Sequence, residues 1–427
     1  MRRSIRGGIG FDLERIGGNV RAPEQLPAPD SITLKIPSPY LVSDGDTVLA
    51  GDILAQGGGM PILSPIHGKV SISDDGRLTI TRDGDDPLKL SPDCLPFGEQ
   101  TGKGVLEITP DDLITRTRRF AIPDGYGTSL ADKAERSYGR SYRLAVVAFD
   151  TEPTCGICRS VAAALTDKMI GGAKIIMAAL GIVEGSIVLP RGDALTSKIG
   201  AQVKKTGGGL LDVSLVDPIY PSDEQHLLYY LICGNELSPR RRPEEVGLLI
   251  LTSDAAVAVY DAFVLGKPYI NPIIYVGGDA VEDGGLIAAT LFAPISTVLD
   301  VCSADEGGTI IENGLMRGRV RRRDDPIGRF TRHITVTDQS CKEPADCVSC
   351  VSCAAVCPMY LLPSRIAQVE GNGISRKFDK LLSGDMPSTD ASLCIGCGCC
   401  AFVCPSGISI SSMIAAKKSA GKDVHDR

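Results

Sequence analysis

Between Cys347 and Pro405 the spacing C-x2-C-x2-C-x3-C-P occurs twice, as Cys347, Cys350, Cys353, Cys357, Pro358 and again as Cys394, Cys397, Cys400, Cys404, Pro405. A doubled run of this kind ligates two 4Fe-4S clusters. Three close cysteines take three irons of one cluster, and the fourth, before proline, crosses to the other. Cys347, Cys350 and Cys353 with Cys404 are therefore assigned to one cluster, and Cys394, Cys397 and Cys400 with Cys357 to the other. Zinc sites favour paired C-x2-4-C knuckles, and a disulfide framework needs no doubled register, so neither explains the pattern. Cys399 lies inside the second run but out of register, and reads as a packed or hydrogen-bonding neighbour.

A chain of 427 residues exceeds one hydrophobic core and should divide into about three or four domains. Its formal charge of -7 argues against a nucleic-acid partner, because phosphate neutralisation requires a basic face. The basic run from Arg317 to Arg323 is followed at once by Asp324 and Asp325, which reads as a solvated, self-compensated loop. Eight of the 15 cysteines are claimed by clusters, which survive in a reducing compartment, and the first residues carry charge rather than an apolar leader. The expected location is cytoplasmic. The most apolar stretch, Val246 to Leu265, contains Asp254 and Asp261, so membrane contact is expected only through a partner.

Read in order, residues 1–30 form an extended, Gly- and Pro-rich arm. Residues 31–95 hold short alternating runs divided by Gly/Asp turns and predict a small antiparallel β-domain. The order G-D-x-V-x-x-G-D-x-L followed by S-P-x-x-G-x-V resembles the barrel-sandwich hybrid fold of biotinyl and lipoyl carriers. Its tip, Gly57 to Pro61, has no lysine, so a docking or spacer role is expected, with His67 in a turn. Residues 105–265 alternate strand and helix and predict a parallel, Rossmann-like α/β domain, including one helix from Ser160 to Leu180. Residues 266–325 predict strands flanking one helix, as in a β-grasp domain of the SLBB-like kind. Residues 335–412 form the two-cluster ferredoxin-like domain, with a charged, frayed tail from Ile414. The fold class is thus multidomain, mixing α+β and α/β.

This domain order resembles that of RnfC-like proteins, the family of the RnfC component of the Rnf electron-transport complex. The matching residues are Ser64 to Val70, Glu152-Pro153, Tyr220-Pro221 with Gly234, Gly266-Lys267-Pro268, Val276 to Ala280, Gly314-Leu315-Met316, and Cys357-Pro358-Met359 leading to Leu361-Leu362-Pro363. The resemblance implies electron transfer from NADH through FMN, the flavin phosphate resting on a glycine-rich loop, G-x-G-G-A-G-F-P-T in the family. Here that loop reads Ile122-Pro123-Asp124-Gly125-Tyr126-Gly127-Thr128. The family's Y-P-x-G-G-E has become Tyr220-Pro221-Ser222-Asp223-Glu224-Gln225, and Val147-Ala148 replace an Asn-Gly pair. Asp124, Asp223 and Glu224 would repel an anionic cofactor in a low-dielectric pocket, so FMN and NADH are not expected to bind tightly.

Directly after Pro153 comes Thr154-Cys155-Gly156-Ile157-Cys158-Arg159 at the start of a helix. Cys155 and Cys158 are candidates for a redox dithiol, one of them activated by the helix N-terminus and by Arg159. A buried structural pair and a metal site are the alternatives. Cys94, Cys233, Cys302 and Cys341 read as core or loop residues.

Within the family the chain most resembles a branch of anaerobic metabolism that serves a D-proline reductase. The expected function is electron relay through two 4Fe-4S clusters, with or without the dithiol, from an electron donor protein to a partner reductase. An FMN- and NADH-dependent component of an Rnf-type complex and an iron-sulfur scaffold with an inert α/β domain are the other readings. Whether the chain is itself an enzyme is left open at this point.

Overall fold

The computed structural model describes residues 3–11, 20–36, 38–57, 59–84, 86, 88–104, 107–339, 343–368 and 388–425. Cys341 and Gly58 lie outside them.

Strands Ser31–Leu34, Leu78–Arg82, Gly68–Ile72 and Thr47–Val48 form an antiparallel sheet in that spatial order, accompanied by the hairpin Ile53–Gly57 and Met60–Leu63. Strand Ser31–Leu34 buries Ile32 and Leu34 while Ser31 and Thr33 face water, the period of two expected of a half-buried strand. The apolar face closes on Val48, Leu54, Ile66, Val70 and Ile80. Gly68 is needed where two strands meet, since a Cβ there would lie 2.2 Å from the Thr81 carbonyl oxygen.

A parallel sheet forms the centre of the molecule, with strands in the order Leu211–Val216, Glu184–Pro190, Arg143–Val147, Leu248–Thr252. Strand Leu248–Thr252 is buried at all 5 positions, as helices covering both faces require. The periodicity over residues 160–180 resolves into two helices, Ile157–Ala164 and Thr166–Leu180, because Leu165 leaves helical geometry with ψ at 36°. Helix Thr166–Leu180 packs closely on helix Ser253–Val264: a Cβ on Gly172 would stand 1.8 Å from the Ala256 carbonyl oxygen. The first of this sheet's strands along the chain, Arg143–Val147, lies between its second and its last, so connections leave it in opposite directions. A crevice is expected at the C-terminal ends of Arg143–Val147 and Leu248–Thr252, where the winding reverses.

A mixed sheet of six strands follows, ordered Arg319–Arg321, Thr309–Glu312, His333–Thr337, Ile273–Gly277, Gly285–Ala288, Glu24–Gln25. The expected boundary at 325 falls inside this sheet, since its interior strand His333–Thr337 comes later, and the expected start at 335 cuts that strand. The N-terminal arm is also structured. Glu24–Gln25 extends the sheet, and Ile9–Gly10 pairs with Ile219–Tyr220 while the Gly8 amide donates to the Val356 carbonyl at 2.9 Å. The basic run is compensated through Arg321 with Glu312 and Asp325 and through Arg323 with Asp300, and Arg317, an exposed residue, sets its guanidinium over the Tyr220 ring. Residues 410–425 are helical, Ile410 and Ile414 being buried against the cysteine loops, so the tail is anchored rather than frayed. Among the described residues, no helix is long and apolar enough to cross a membrane.

Candidate electron-transfer site

The two cysteine runs fold as repeats of one backbone path. Ser349, Val351 and Tyr360 in the first have φ of 56°, 68° and 51°, and Gly396, Gly398 and Gly407, at matching distances from their cysteines, have 70°, 80° and 62°. Left-handed geometry at three matched places, held by non-glycine residues in one copy at a cost of about 1 kcal/mol or more each, marks a path the loops are required to take. Each run then enters a one-turn helix, Ser352–Ala355 or Cys399–Phe402. Backbone amides of Leu361 and Gly396 point at the Cys357 and Cys394 sulfurs, 3.4 Å away in each case.

The inner group lies together. The Cys400 thiol is pushed up first by burial and then by Cys397, Cys394 and Cys357, and Cys357 is pushed up to about 11 by burial, with Cys397 and Cys394 among its neighbours. Cys353 is likewise raised by burial, with Cys350 beside it. Cys350 is exposed and Cys347 and Cys404 half-buried, so this set lies nearer the surface. Cys399 is fully buried, and its thiol donates to Cys397, drawing that group down to about 7. Among the described residues, no three side chains converge closely enough to grip a single ion. A 4Fe-4S cube instead takes one thiolate at each of four irons, and an all-cysteine donor set with amides aimed at sulfur, lined by Leu361, Ile366, Ile410 and Ile414, fits it.

At the crevice where the parallel sheet reverses lies a cavity of about 280 Å³, lined by residues that include Gly125, Asp150, Glu152, Cys155, Cys158 and Arg332. Gly125 has φ of 84°, and a Cβ there would lie 1.8 Å from Thr252 Oγ1, so the loop crosses the strand end only as glycine. The three acids expected to repel a phosphate have other partners. Asp124 is buried, accepts from Lys133 Nζ at 2.8 Å and from the amides of Tyr126 and Thr128, and does not line the cavity. Glu224 caps helix Gln225–Cys233 and pairs with His226. Asp223 accepts from the Thr151 hydroxyl and amide. Arg317 and Arg332 both line the cavity. The electrostatic ground for excluding FMN and NADH is therefore reduced to Asp223: Asp124 and Glu224 are paired within the protein, and the lining that carries Asp223 also carries Arg317 and Arg332.

The thiols are also placed differently from expectation. Cys155 and Cys158 are both buried in the cavity wall. The carboxylate of Asp150 occupies the helix start, accepting from the amides of Cys158 at 3.2 Å and Arg159 at 3.0 Å, and the Cys155 thiol donates to it at 3.5 Å. Arg159 turns away to Asp193. The cation on the thiols is Arg332, whose Nη2 lies 3.1 Å from Cys158 Sγ and which Asp254 holds at 2.6 and 3.0 Å. Burial, with Asp150 adding to it, pushes both thiols well above their ordinary range. The expected depressed pKa is thus overturned, because a carboxylate has taken the helix amides a thiolate would need.

One wall of the cavity is linked to the inner cysteine run through the residues behind it. Glu152 Oε1 accepts from the Met316 amide at 2.6 Å, and burial pushes Glu152 up to about 7. Tyr220, fully buried, donates its hydroxyl to the Cys397 carbonyl, and Gly398 approaches so closely that a Cβ would lie 2.2 Å from the Met316 carbonyl oxygen. Sequence reasoning missed Asp150, Arg317 and Arg332. Asp150 had a signal as an acid ahead of a helix start, whereas Arg332 is separated from Cys158 by 174 residues and had none.

The family model of the 4Fe-4S dicluster domain matches residues 343–408. The C subunit of the Na(+)-translocating ferredoxin:NAD(+) oxidoreductase complex of Acetobacterium woodii is 25% identical over 369 residues, covering 82% of each chain. The C subunit of the proton-translocating ferredoxin:NAD(+) oxidoreductase complex of Clostridium ljungdahlii is 23% identical, over 86% of this chain and 84% of its own. Its counterpart in an ion-translocating oxidoreductase complex of Methanosarcina acetivorans reaches 30% identity over 49% of this chain and 53% of its own. A chain of the NAD+-reducing NiFe-hydrogenase in its air-oxidised state aligns with 64% of this chain and 54% of its own at 13% identity and a TM-score of 0.48, a likeness too slight to argue from. Similarity to the C subunits of these complexes along most of its length, joined to a dicluster domain at its C-terminal end, supports an RnfC-like family for this chain.

Proposed function

We propose that the protein is an iron-sulfur electron-transfer subunit of an oxidoreductase complex, moving electrons between the cavity at the sheet reversal and a partner protein. The observation that carries this is a short link from the cavity to the inner cysteine run: the lining residue Glu152 holds the Met316 amide, Met316 packs against Gly398, and Tyr220, under the lining Arg317, donates to the Cys397 carbonyl. When bound, two 4Fe-4S clusters supply one-electron carriers. Cys394, Cys397, Cys400 and Cys357 hold the inner one and Cys347, Cys350, Cys353 and Cys404 the outer one, whose cysteines are closer to solvent. Met316 and Tyr220 keep water from the inner site, and Glu152, poised near neutrality, holds or releases a proton as charge changes beside it.

Two chemistries suit the cavity. Cys155 and Cys158 form a two-electron couple if they close to a disulfide, releasing two electrons and two protons, with Asp150 the acceptor beside Cys155. A bound flavin is the second reading, favoured by Glu152 Oε2 and Thr252 Oγ1, both buried without a partner among the described residues. We read the three folded units before the cysteine runs as barrel-sandwich hybrid, Rossmann-like and SLBB-like β-grasp domains. D-proline reductase as the acceptor rests on the branch resemblance alone, and membrane contact through a partner follows the relatives' names.

Anaerobic reconstitution with iron, sulfide and FMN tests the proposal. Two clusters reducible through the cavity are expected. Stoichiometric flavin with NADH oxidation establishes the flavin reading, and loss of transfer in Cys155→Ser without flavin establishes the dithiol. Clusters that reduce at the wild-type rate when Tyr220 and Met316 are both replaced by Ala would refute the route.

A further inference from the structure

A second and larger cavity, of about 490 Å³, opens where helix Ser253–Val264, the start of helix Thr166–Leu180 and the segment from Lys267 to Ile273 meet. Its walls are mainly apolar, with Leu90, Leu165, Val257, Ala258, Ile270 and Ile273 among them. Cavities of this size at the junction of folded units commonly hold small molecules, an apolar lining supplying affinity and a few polar groups fixing orientation.

The polar groups sort into satisfied and unsatisfied ones. Asp261 is paired with Lys168 at 2.7 Å, and Asp254 with Arg332 at 2.6 Å. The Asn271 Nδ2 amide, by contrast, is out of contact with water and has no hydrogen-bond partner among the described residues. Lys267, which also lines the cavity, is exposed and forms no ion pair among the described residues. A buried donor and a nearby cation left over in an apolar chamber are matched best by an oxygen anion on an apolar body. An ammonium would leave Asn271 unmet and would face Lys267, while both carboxylates are already taken.

We infer that this cavity is a binding site for an aliphatic carboxylate of about six to ten carbons, its chain against Val257 and Ala258 and its carboxylate accepting from Asn271 Nδ2, with Lys267 offsetting the charge. The site stands independently of which chemistry the thiol cavity performs. The two cavities are separated by one ion pair, since Asp254 lines this one and Arg332 the other.

The test uses the full chain with its clusters reconstituted, and calorimetric titration with octanoate, 1-octanol and octylammonium. Octanoate is expected to bind at one site, octanol at least tenfold more weakly, and octylammonium not at all. Ala258→Phe, which fills the chamber, should abolish octanoate binding, and Asn271→Leu should weaken it tenfold or more, each keeping the wild-type visible absorbance of the clusters. Absence of octanoate binding, equal affinity for octanol, or unchanged affinity in Ala258→Phe overturns the assignment. Should Ala258→Phe lose its cluster absorbance, Asn271→Leu and the three probes on the wild-type protein decide the matter.

Discussion

Replacing Asp124 by Asn separates a structural latch from an electrostatic barrier. The side chains of Asp124 and Lys133 are 1% and 2% exposed, so neither charge is screened by water. Asparagine still accepts from the amides of Tyr126 and Thr128, and the loop path should persist, but Lys133 loses its counter-charge. Breaking one partner of a buried pair costs about 3–5 kcal/mol. Gln225 Oε1, at 2.7 Å from Lys133 Nζ, and the Tyr126 ring, 5.0 Å away, remain to face the ammonium and place the loss toward the lower end. Urea unfolding of anaerobically purified, cluster-loaded protein should show this loss in the transition that reports the α/β unit. Asp124→Leu combined with Lys133→Met should recover most of it, because no buried charge is then left. FMN titration of Asp124→Asn is the decisive arm. An affinity raised tenfold or more at unchanged stability would mean that the carboxylate repels cofactor rather than holding the loop, and would refute the latch. The pH dependence has the same origin. Burial alone would raise Asp124, but Lys133 and the backbone amides outweigh it and hold the carboxyl below 3.8. A depressed folded pKa contributes stability above the unfolded value, so this contribution is lost only as pH falls below about 4.

Glu152 has the opposite sign: raised from 4.5 to about 7, it makes stability fall as pH rises between those values, and Glu152→Gln should remove that slope, worth about 3 kcal/mol at most, in denaturation midpoints measured from pH 5 to 8. Because burial raises both thiols, Cys155 and Cys158 should alkylate with iodoacetamide at pH 8 about a hundredfold more slowly in the folded protein than after denaturation, as peptide mass mapping would show; equal rates would contradict their burial. Cys357→Ser should disturb the inner cluster and spare the outer, and Cys404→Ser the reverse, read from iron content and paramagnetic resonance. Disturbance confined to the run that carries the substitution would rule out crossed ligation.

The dicluster domain was legible because three of every four cysteines in its motif stand within a few positions of one another, and the spacing survives whatever surrounds it. Strand and helix alternation from 143 to 265 was legible for a similar reason, since hydrophobic period reflects which face is buried. Where a boundary depended on pairing across distance, the reading failed. His333–Thr337 belongs to a sheet that begins near 273, and Glu24–Gln25 completes it from the other end of the chain. Single residues fared likewise. Asp124 in a former glycine loop looks like a charge aimed at phosphate until Lys133 is placed 2.8 Å from it.

From residues alone, then, came the kind of donor atoms, their doubled spacing and the succession of folded units, because each depends on neighbours within a few positions. The pairing of the acids near the cavity, the protonation tendency of Cys155 and Cys158, and the link from the cavity through Glu152 and Met316 to the inner cysteines came only with the tertiary structure. Charge and desolvation act through space, and the groups that decide them here, Lys133, Arg317 and Arg332, approach their targets from other parts of the chain.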